Sequence, residues 1–139
     1  MKNEPTHRPR LAGVIVTHAG MAEALRQAVV SVAGEVPGLE AVSNADMGPE
    51  ELGEHVRRLV DRLGAEGCVV FVDSRGSSCA AACLAALQRD PRVRVVSGVN
   101  LPMLVHFVAH RDEADLDSMV QQLLRRGRDA VELLPGGGP

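Results

Sequence analysis

Aromatic side chains are almost absent from this sequence, whose 139 residues include two Phe, no Trp and no Tyr. A nucleic-acid surface that stacks bases on aromatic rings is therefore poorly supported. No apolar run approaches the roughly 18–20 residues of a membrane span. The first ten residues also lack the apolar middle of a signal peptide. We expect a cytoplasmic protein that does not insert into the membrane.

A strong charge of one sign and a disulfide framework are missing as well. The 15 basic and 18 acidic residues give a net charge of −3 with neutral His. The sequence has no basic stripe of the kind that indicates nucleic acid as a partner. Cys68, Cys79 and Cys83 form an odd set without a C-x-x-C spacing, which favours reduced thiols. Cys79 and Cys83 share a predicted helix face, and we interpret them as small core residues.

Apolar runs alternate with helical patterns along the chain, which predicts βαβ units and a mostly parallel sheet. We predict an α/β three-layer sandwich with a doubly wound sheet in the order 2-1-3-4, plus a C-terminal strand. Residues 1–10 and 135–139 are predicted to be flexible tails around a single domain of residues 11–134. Strands are predicted at about 11–16, 39–42, 67–72, 93–96 and 130–134, and helices at about 21–33, 49–63, 79–88, 100–108 and 113–126.

Two helices carry further expectations. The first is predicted to bury one apolar stripe at helical spacing, made of Met21, Leu25, Ala28, Val29 and Val32. The last is predicted to end at Gly127, because glycine is unfavourable inside helices and common at their ends.

The candidate site lies where the first and third strands end. His18 follows the first apolar run and Asp73 follows the third. In open α/β sheets, ligands bind in the crevice outside the carboxyl ends of the strands, so these two loops are expected to converge if the strands are neighbours. A carboxylate that accepts a hydrogen bond from one imidazole nitrogen leaves the other as a lone-pair nucleophile.

A candidate anion site follows Asp73 in the sequence. Gly76, Ser77 and Ser78 lie at the predicted start of the third helix, where unpaired N–H groups and the helix dipole favour a phosphoryl group. Together with His18 and Asp73 they indicate a phosphohistidine site. These residues are also compatible with ordinary loop and capping roles, which leaves a small-ligand-binding α/β module open.

A metal site is not expected in this sequence. His106 and His110 are spaced i, i+4 on a predicted helix, which can suit a metal. No Glu follows His106 as in H-E-x-x-H, and no third ligand is evident.

Several segments resemble the mannose-type enzyme IIA domain of the bacterial phosphoenolpyruvate-dependent sugar phosphotransferase system (PTS). They occur in the family's order over about residues 11–134. The matching segments are GVIVTHAGMAEAL at 13–25, Val72-Asp73 with Gly76 and Ser78, SGVNLPML at 97–104 and GRDAV at 127–131. The GVNLPML stretch is the most specific of them.

The resemblance implies a phosphocarrier. His18 would accept a phosphoryl group from the carrier protein HPr and pass it to a IIB component, without a cofactor. Asp73 would orient the imidazole. Thr17, Gly76, Ser77 and Ser78 would hold the phosphoryl group, and Met21, Arg75 and Asn100 would shape the site and its partner contacts. A regulatory domain whose phosphorylation state is read by a partner remains an alternative.

The resemblance also implies a homodimer in which the final strand, here residues 130–134, crosses to the partner's sheet. The sequence departs from the family at 76–79, where Gly-Ser-Ser-Cys stands in place of the usual Gly-Gly-Ser-Pro. Arg75 stands where the family often has an apolar or aromatic residue. These departures bear on partner docking more than on the nucleophile.

Overall fold

Four parallel strands form the centre of the structure, a computed structural model that describes residues 8–135. The strands lie in the order β2-β1-β3-β4, which confirms the predicted order of the sheet. The elements in chain order are β1 (Leu11–Thr17), α1 (Met21–Ala33), β2 (Leu39–Ser43), α2 (Pro49–Leu63), β3 (Gly67–Val72), α3 (Ser78–Leu87), β4 (Val93–Ser97), α4 (Leu101–His110) and α5 (Leu116–Asp129).

The register of the two central strands brings their following loops together. Val16 of β1 pairs with Val72 of β3, so both strands end at nearly the same level of the sheet. Every residue of these two strands is buried, as expected for a parallel sheet covered on both faces. His18 and Asp73 therefore leave the sheet side by side, at the edge where ligands bind in this class of fold.

The helices cover the two faces of the sheet in separate layers. Alternate residues of β1 face opposite sides: Ala12, Val14 and Val16 pack with α2 and α3, whereas Leu11 and Ile15 pack with α1, α4 and α5. Gly13 lies on the second face, where an added Cβ would come within 2.9 Å of both the Leu39 Cδ1 and the Phe107 Cε2 atoms. The predicted three-layer sandwich is confirmed.

The predicted apolar stripe of α1 is partly wrong. Met21 is 42% exposed and Val32 is 63% exposed, while Ala22 and Val29 are the buried residues of the helix. The physical reason is that the helix turns Ala22 and Val29 towards the core, with Leu25 and Val30 packed against it, so Met21 and Val32 lie outside the covered face. Near the end of the helix the core contact is made instead by Val36, which is fully buried in the connection to β2.

The C-terminal region also departs from the prediction. α5 begins at Leu116 and continues through Gly127 to Asp129. Glycine stands inside the helix because α5 packs closely on α4 at this point, where an added Cβ would lie 2.5 Å from Met103 Cε. Tertiary packing thus overrides the low helix propensity of glycine. Residues 130–134 form no strand in the described single chain. Strand exchange with a second chain stays a prediction.

The predicted tails lie mostly outside the described residues, namely at 1–7 and 136–139. Of the remaining tail residues, Pro9 is buried and the Arg10 N–H donates to Asp112 Oδ1 at 2.8 Å. The segment 8–10 is therefore packed against the domain. Within residues 8–135 no helix has the length and apolar character needed to cross a membrane.

Candidate functional site

The loop after β1 presents His18 at the surface. The His18 side chain is 52% exposed, and the next residue, Ala19, has a φ of 50°, in the left-handed region that non-glycine residues rarely adopt. Thr17 is fully buried, and its hydroxyl donates to the His18 carbonyl oxygen at 3.2 Å. The Thr17 hydroxyl is thus used within the loop and does not face the exposed side of the ring.

Asn44, in the loop after β2, holds the histidine loop from the other side. Its N–H donates to the Thr17 carbonyl at 3.1 Å, and its side-chain oxygen accepts a hydrogen bond from the Ala19 N–H at 3.4 Å. Sequence reasoning missed this residue. An Asn after a strand is an ordinary turn residue, and only the parallel pairing of β1 with β2 brings it to His18.

Asp73 fixes His18 through two contacts. The Asp73 Oδ2 atom accepts a hydrogen bond from His18 Nδ1 and a second one from the His18 backbone N–H at 3.0 Å. Its Oδ1 atom accepts from the Ser74 N–H at 2.9 Å. Partial burial acts to raise the pKa of Asp73, but hydrogen bonds from the Ser77 side chain, from His18 and from Ser74 outweigh it and lower the pKa to about 2.

This arrangement sets the tautomer of the imidazole. Asp73 is ionised at neutral pH and can only accept, so Nδ1 of His18 must carry the hydrogen of their contact. In the neutral ring, Nε2 then holds the lone pair. Nε2 faces the first turn of α3, with Ser78 Oγ at 3.5 Å. The exposed nitrogen is therefore prepared to act as a nucleophile.

The start of α3 supplies a site for an anion beside this nitrogen. Ser77 is the N-cap, and its Oγ accepts a hydrogen bond from the Ala80 N–H at 3.0 Å. A Cβ added at Gly76 would meet nothing within 4 Å, so a ligand can approach the backbone closely. The first N–H groups of a helix have no partner within it and carry the positive end of its dipole. The structure thus brings Ser78 to the His18 ring and Ser77 to Asp73, with Gly76 in the loop that connects them.

Cys79 lies under the same site. Its thiol is fully buried, and its sulfur lies within 4.8 Å of a donor atom of each of His18 and Asp73. Burial raises the pKa of Cys79, and the negative charge of Asp73 adds to this rise. The sequence indicated only a core role for Cys79, because nothing in its spacing shows which side of the first turn of α3 faces His18.

Of the remaining predicted residues, two are exposed in the loops and helix starts next to the site, and the others make contacts elsewhere. Met21, at the start of α1, and Arg75, in the β3–α3 loop, are exposed. Asn100 is the N-cap of α4 and donates from Nδ2 to the Gly127 carbonyl at 3.0 Å, so it ties α4 to α5. His106 pairs elsewhere, with Gln122 Oε1 at 2.7 Å.

A family model described as PTS system fructose IIA component, EIIA-man, matches residues 12–124 of this chain. The chain belongs to the EIIA-man family. IIA components of this system are phosphotransferases, and the match is consistent with a phosphocarrier in sugar uptake. The matched range includes both loops that form the His18–Asp73 site.

Individual relatives agree with the family. The EIIA-man chain is 30% identical over 133 residues to the PTS system mannose-specific EIIAB component of Escherichia coli K12. The match covers 89% of this chain but only 39% of that protein, so the chain spans well under half of the relative's length.

Solved structures show the same fold. The mannose/sorbose-specific IIA subunit from Enterococcus faecalis superposes with a TM-score of 0.80 at 23% identity, covering 96% of this chain and 99% of that one. The PTS IIA protein associated with the fucose utilization operon from Streptococcus pneumoniae gives a TM-score of 0.82 at 16% identity, covering 92% and 96%.

Proposed function

We propose that this chain is a cytoplasmic phosphocarrier of the mannose-type PTS. His18 accepts a phosphoryl group from HPr and passes it to a IIB component during sugar uptake. The observation that carries the proposal is the hydrogen bond between His18 Nδ1 and the Asp73 carboxylate, which leaves Nε2 directed at the start of α3.

In the proposed transfer, the Nε2 lone pair of His18 attacks the phosphorus in line with the bond to the donor. The Nε2–P bond forms while the N–P bond of the HPr phosphohistidine breaks, and its electron pair stays on the donor imidazole. The His18 ring becomes positively charged as it bonds to phosphorus, and the adjacent Asp73 carboxylate stabilises that charge. Catalysis of this kind rests on positioning and electrostatics, with little covalent work for other groups.

The start of α3 has the second role in this proposal. The backbone at Gly76 and the N–H and hydroxyl of Ser78 hold the phosphoryl oxygens. Ser77 supports them as the cap of α3, because its N–H donates to the Ser74 carbonyl and its hydroxyl bonds with Ala80 and Asp73. Thr17 is left out of this set because its hydroxyl is buried and used within the loop. Met21 and Arg75 are exposed beside the site and are assigned to partner docking.

The proposed assembly is a homodimer of domains spanning residues 11–134, formed through the C-terminal segment. Val131, Leu133 and Leu134 are 82%, 96% and 74% exposed in the single chain. β4 lies at an edge of the sheet, where backbone groups are open to pairing with another strand. Both features support exchange of residues 130–134 with a partner.

The test is transfer of labelled phosphate from phosphoenolpyruvate through enzyme I and a cognate HPr. Wild-type protein is expected to take up acid-labile label, and His18→Ala is expected to lose it. His55→Ala is the matched control, because His55 lies partly exposed on α2, remote from the site, and this variant should keep the label. Absence of label on wild type, or label that persists in His18→Ala, would refute the proposal.

A further inference from the structure

Three elements of the fold bring three metal-ligating side chains to one point. His18 follows β1, Asp73 follows β3 and Cys79 lies in the first turn of α3. One donor atom of each, an imidazole nitrogen, a carboxylate oxygen and a thiol sulfur, lies within 4.8 Å of the other two. Phosphoryl transfer as proposed above uses His18 and Asp73 but gives the Cys79 thiol no role.

The spacing that a tetrahedral zinc site needs lies within this limit. Zn–S bonds of about 2.3 Å and Zn–N or Zn–O bonds of about 2.0–2.1 Å separate neighbouring ligand atoms by about 3.3–3.6 Å. A rotation of the half-exposed His18 ring away from its contact with Asp73 can bring the donors to that spacing. The buried Cys79 fixes the inner end of the site, and the exposed ring gives the ion its path of entry.

The donor set also selects the kind of cation. One sulfur, one nitrogen and one oxygen ligand suit Zn²⁺ and similar borderline ions, whereas Mg²⁺ and Ca²⁺ prefer oxygen ligands alone. Three protein ligands leave a fourth position for water, as in open zinc sites.

We propose that His18, Asp73 and Cys79 form a binding site for a divalent cation of the Zn²⁺ class. On binding, the Cys79 S–H bond breaks, its proton goes to solvent and the sulfur bonds to the metal as a thiolate. His18 contributes a nitrogen lone pair and Asp73 a carboxylate oxygen.

Occupation of this site excludes phosphorylation, a consequence that rests on the proposed function. The metal takes the lone pair that the neutral His18 ring carries on Nε2, and it turns the ring away from Asp73. A phosphoryl group on Nε2 uses the same lone pair. The metal-bound and phosphorylated forms are therefore alternatives, and Zn²⁺ acts as an inhibitor of the carrier.

The experiment uses untagged, reduced protein titrated with Co²⁺ and then with Zn²⁺ as competitor. Wild type is expected to bind one Co²⁺ with a sulfur-to-cobalt charge-transfer band, which the pair His106–His110 cannot produce because it has no sulfur. Cys79→Ser should lose the band and weaken Zn²⁺ binding, measured by calorimetry, by more than about tenfold. Cys83→Ser is the matched control, because Cys83 is equally buried one turn further along α3 and its loss should leave the band intact.

The outcomes separate this site from the carrier function. A wild-type protein without the band, or a band that survives in Cys79→Ser, overturns the metal site even if His18 takes up phosphate normally. A band that is lost in Cys79→Ser and in His18→Ala supports the site even if no phosphate is taken up. Phosphorylated wild type should show no band.

Discussion

The Asp73 carboxylate places a negative charge beside the His18 ring, orients that ring and holds the backbone of the histidine loop. One oxygen contacts both the ring and the N–H of His18, and the other accepts from Ser74. The carboxylate therefore fixes where the ring lies and which nitrogen is available for reaction. Its low pKa keeps it charged at any physiological pH.

Replacing Asp73 by Asn tests this role at the level of one residue. The amide keeps the shape but not the charge, so the ring loses the partner that holds the hydrogen on Nδ1. We expect the rate of phosphoryl transfer to His18 to fall by about 10²-fold, the lower end of what a positioned acid–base partner contributes. Transfer is measured by rapid quench with labelled HPr, and the tautomer of His18 by ¹⁵N NMR.

The control for this variant is Asp115→Asn, which alters a carboxylate that caps α5 away from the site. It should leave the transfer rate unchanged, and it should keep the cap, because Asn caps a helix about as well as Asp. An Asp73→Asn protein that keeps both the wild-type rate and the wild-type tautomer would show that Asp73 only caps its own turn.

The sequence was sufficient to place His18 and Asp73 at one edge of the sheet, because each follows a long apolar strand and such a strand fixes the edge from which the next loop leaves. It was insufficient to place Asn44 and Cys79 beside them. Their part in the site depends on how β2 pairs with β1 and on which side of α3 faces the loop. Neither property leaves a periodic signal in the chain.

At the level of elements, the errors of prediction concern glycines and helix ends. Helix propensity predicts an end at Gly127 because propensity is local, whereas the close contact with Met103 that requires this glycine is tertiary. Gly13 gave no signal at all, since it lies within an apolar strand. In the structure it makes room for Leu39 and Phe107.

Replacing Gly13 by Ala is expected to lower the free energy of unfolding by about 1–3 kcal/mol, the usual cost of overpacking a core. Two heavy atoms would lie at 2.9 Å from the new Cβ, one of them in the ring of Phe107, which has little room to move. Urea unfolding followed by circular dichroism measures the loss. Gly76→Ala is the control because its added methyl group would meet nothing within 4 Å, and equal losses in both variants would contradict the packing argument.

The turn between α3 and β4 gives a pH-dependent prediction. Hydrogen bonds from the Arg92 side chain and N–H lower the pKa of Asp90 from 3.8 to about 2. A carboxyl whose pKa is lower in the folded state stabilises the fold above its unfolded pKa and loses that effect as the pH falls towards the folded one. Asp90→Asn should therefore cost about 1 kcal/mol at pH 7, and its difference from wild type should close between about pH 4 and pH 2.

Free energies of unfolding in urea at several pH values test this expectation. Asp61→Asn is the control, because Asp61 also accepts from Arg92, at 2.9 Å, but is 58% exposed, so its loss should cost less at pH 7. A cost of Asp90→Asn that stays constant down to pH 2 would mean that the carboxylate charge does not contribute.

For the whole molecule, the C-terminal segment carries the three most exposed large apolar side chains among residues 8–135, namely Val131, Leu133 and Leu134. The sequence predicted a strand at 130–134, and a lone strand at the end of a chain cannot form without an edge to pair with. In the described single chain these residues form no strand, and Leu133 is 96% exposed. Apolar residues in such a row mark an interaction site, and the open β4 edge of a second copy gives them a strand to pair with.

Leu133→Lys tests that assembly. If Leu133 is buried against a partner, its loss removes about 1.5–3 kcal/mol of apolar burial, and the dimer dissociation constant should rise by about tenfold or more. Sedimentation velocity over a dilution series measures the change. Val32→Lys is the control, because Val32 is an exposed apolar residue of α1, the helix that packs beside β2 at the opposite edge of the sheet. A wild-type protein that remains monomeric at every concentration would refute the dimer, and equal shifts in both variants would place the interface elsewhere.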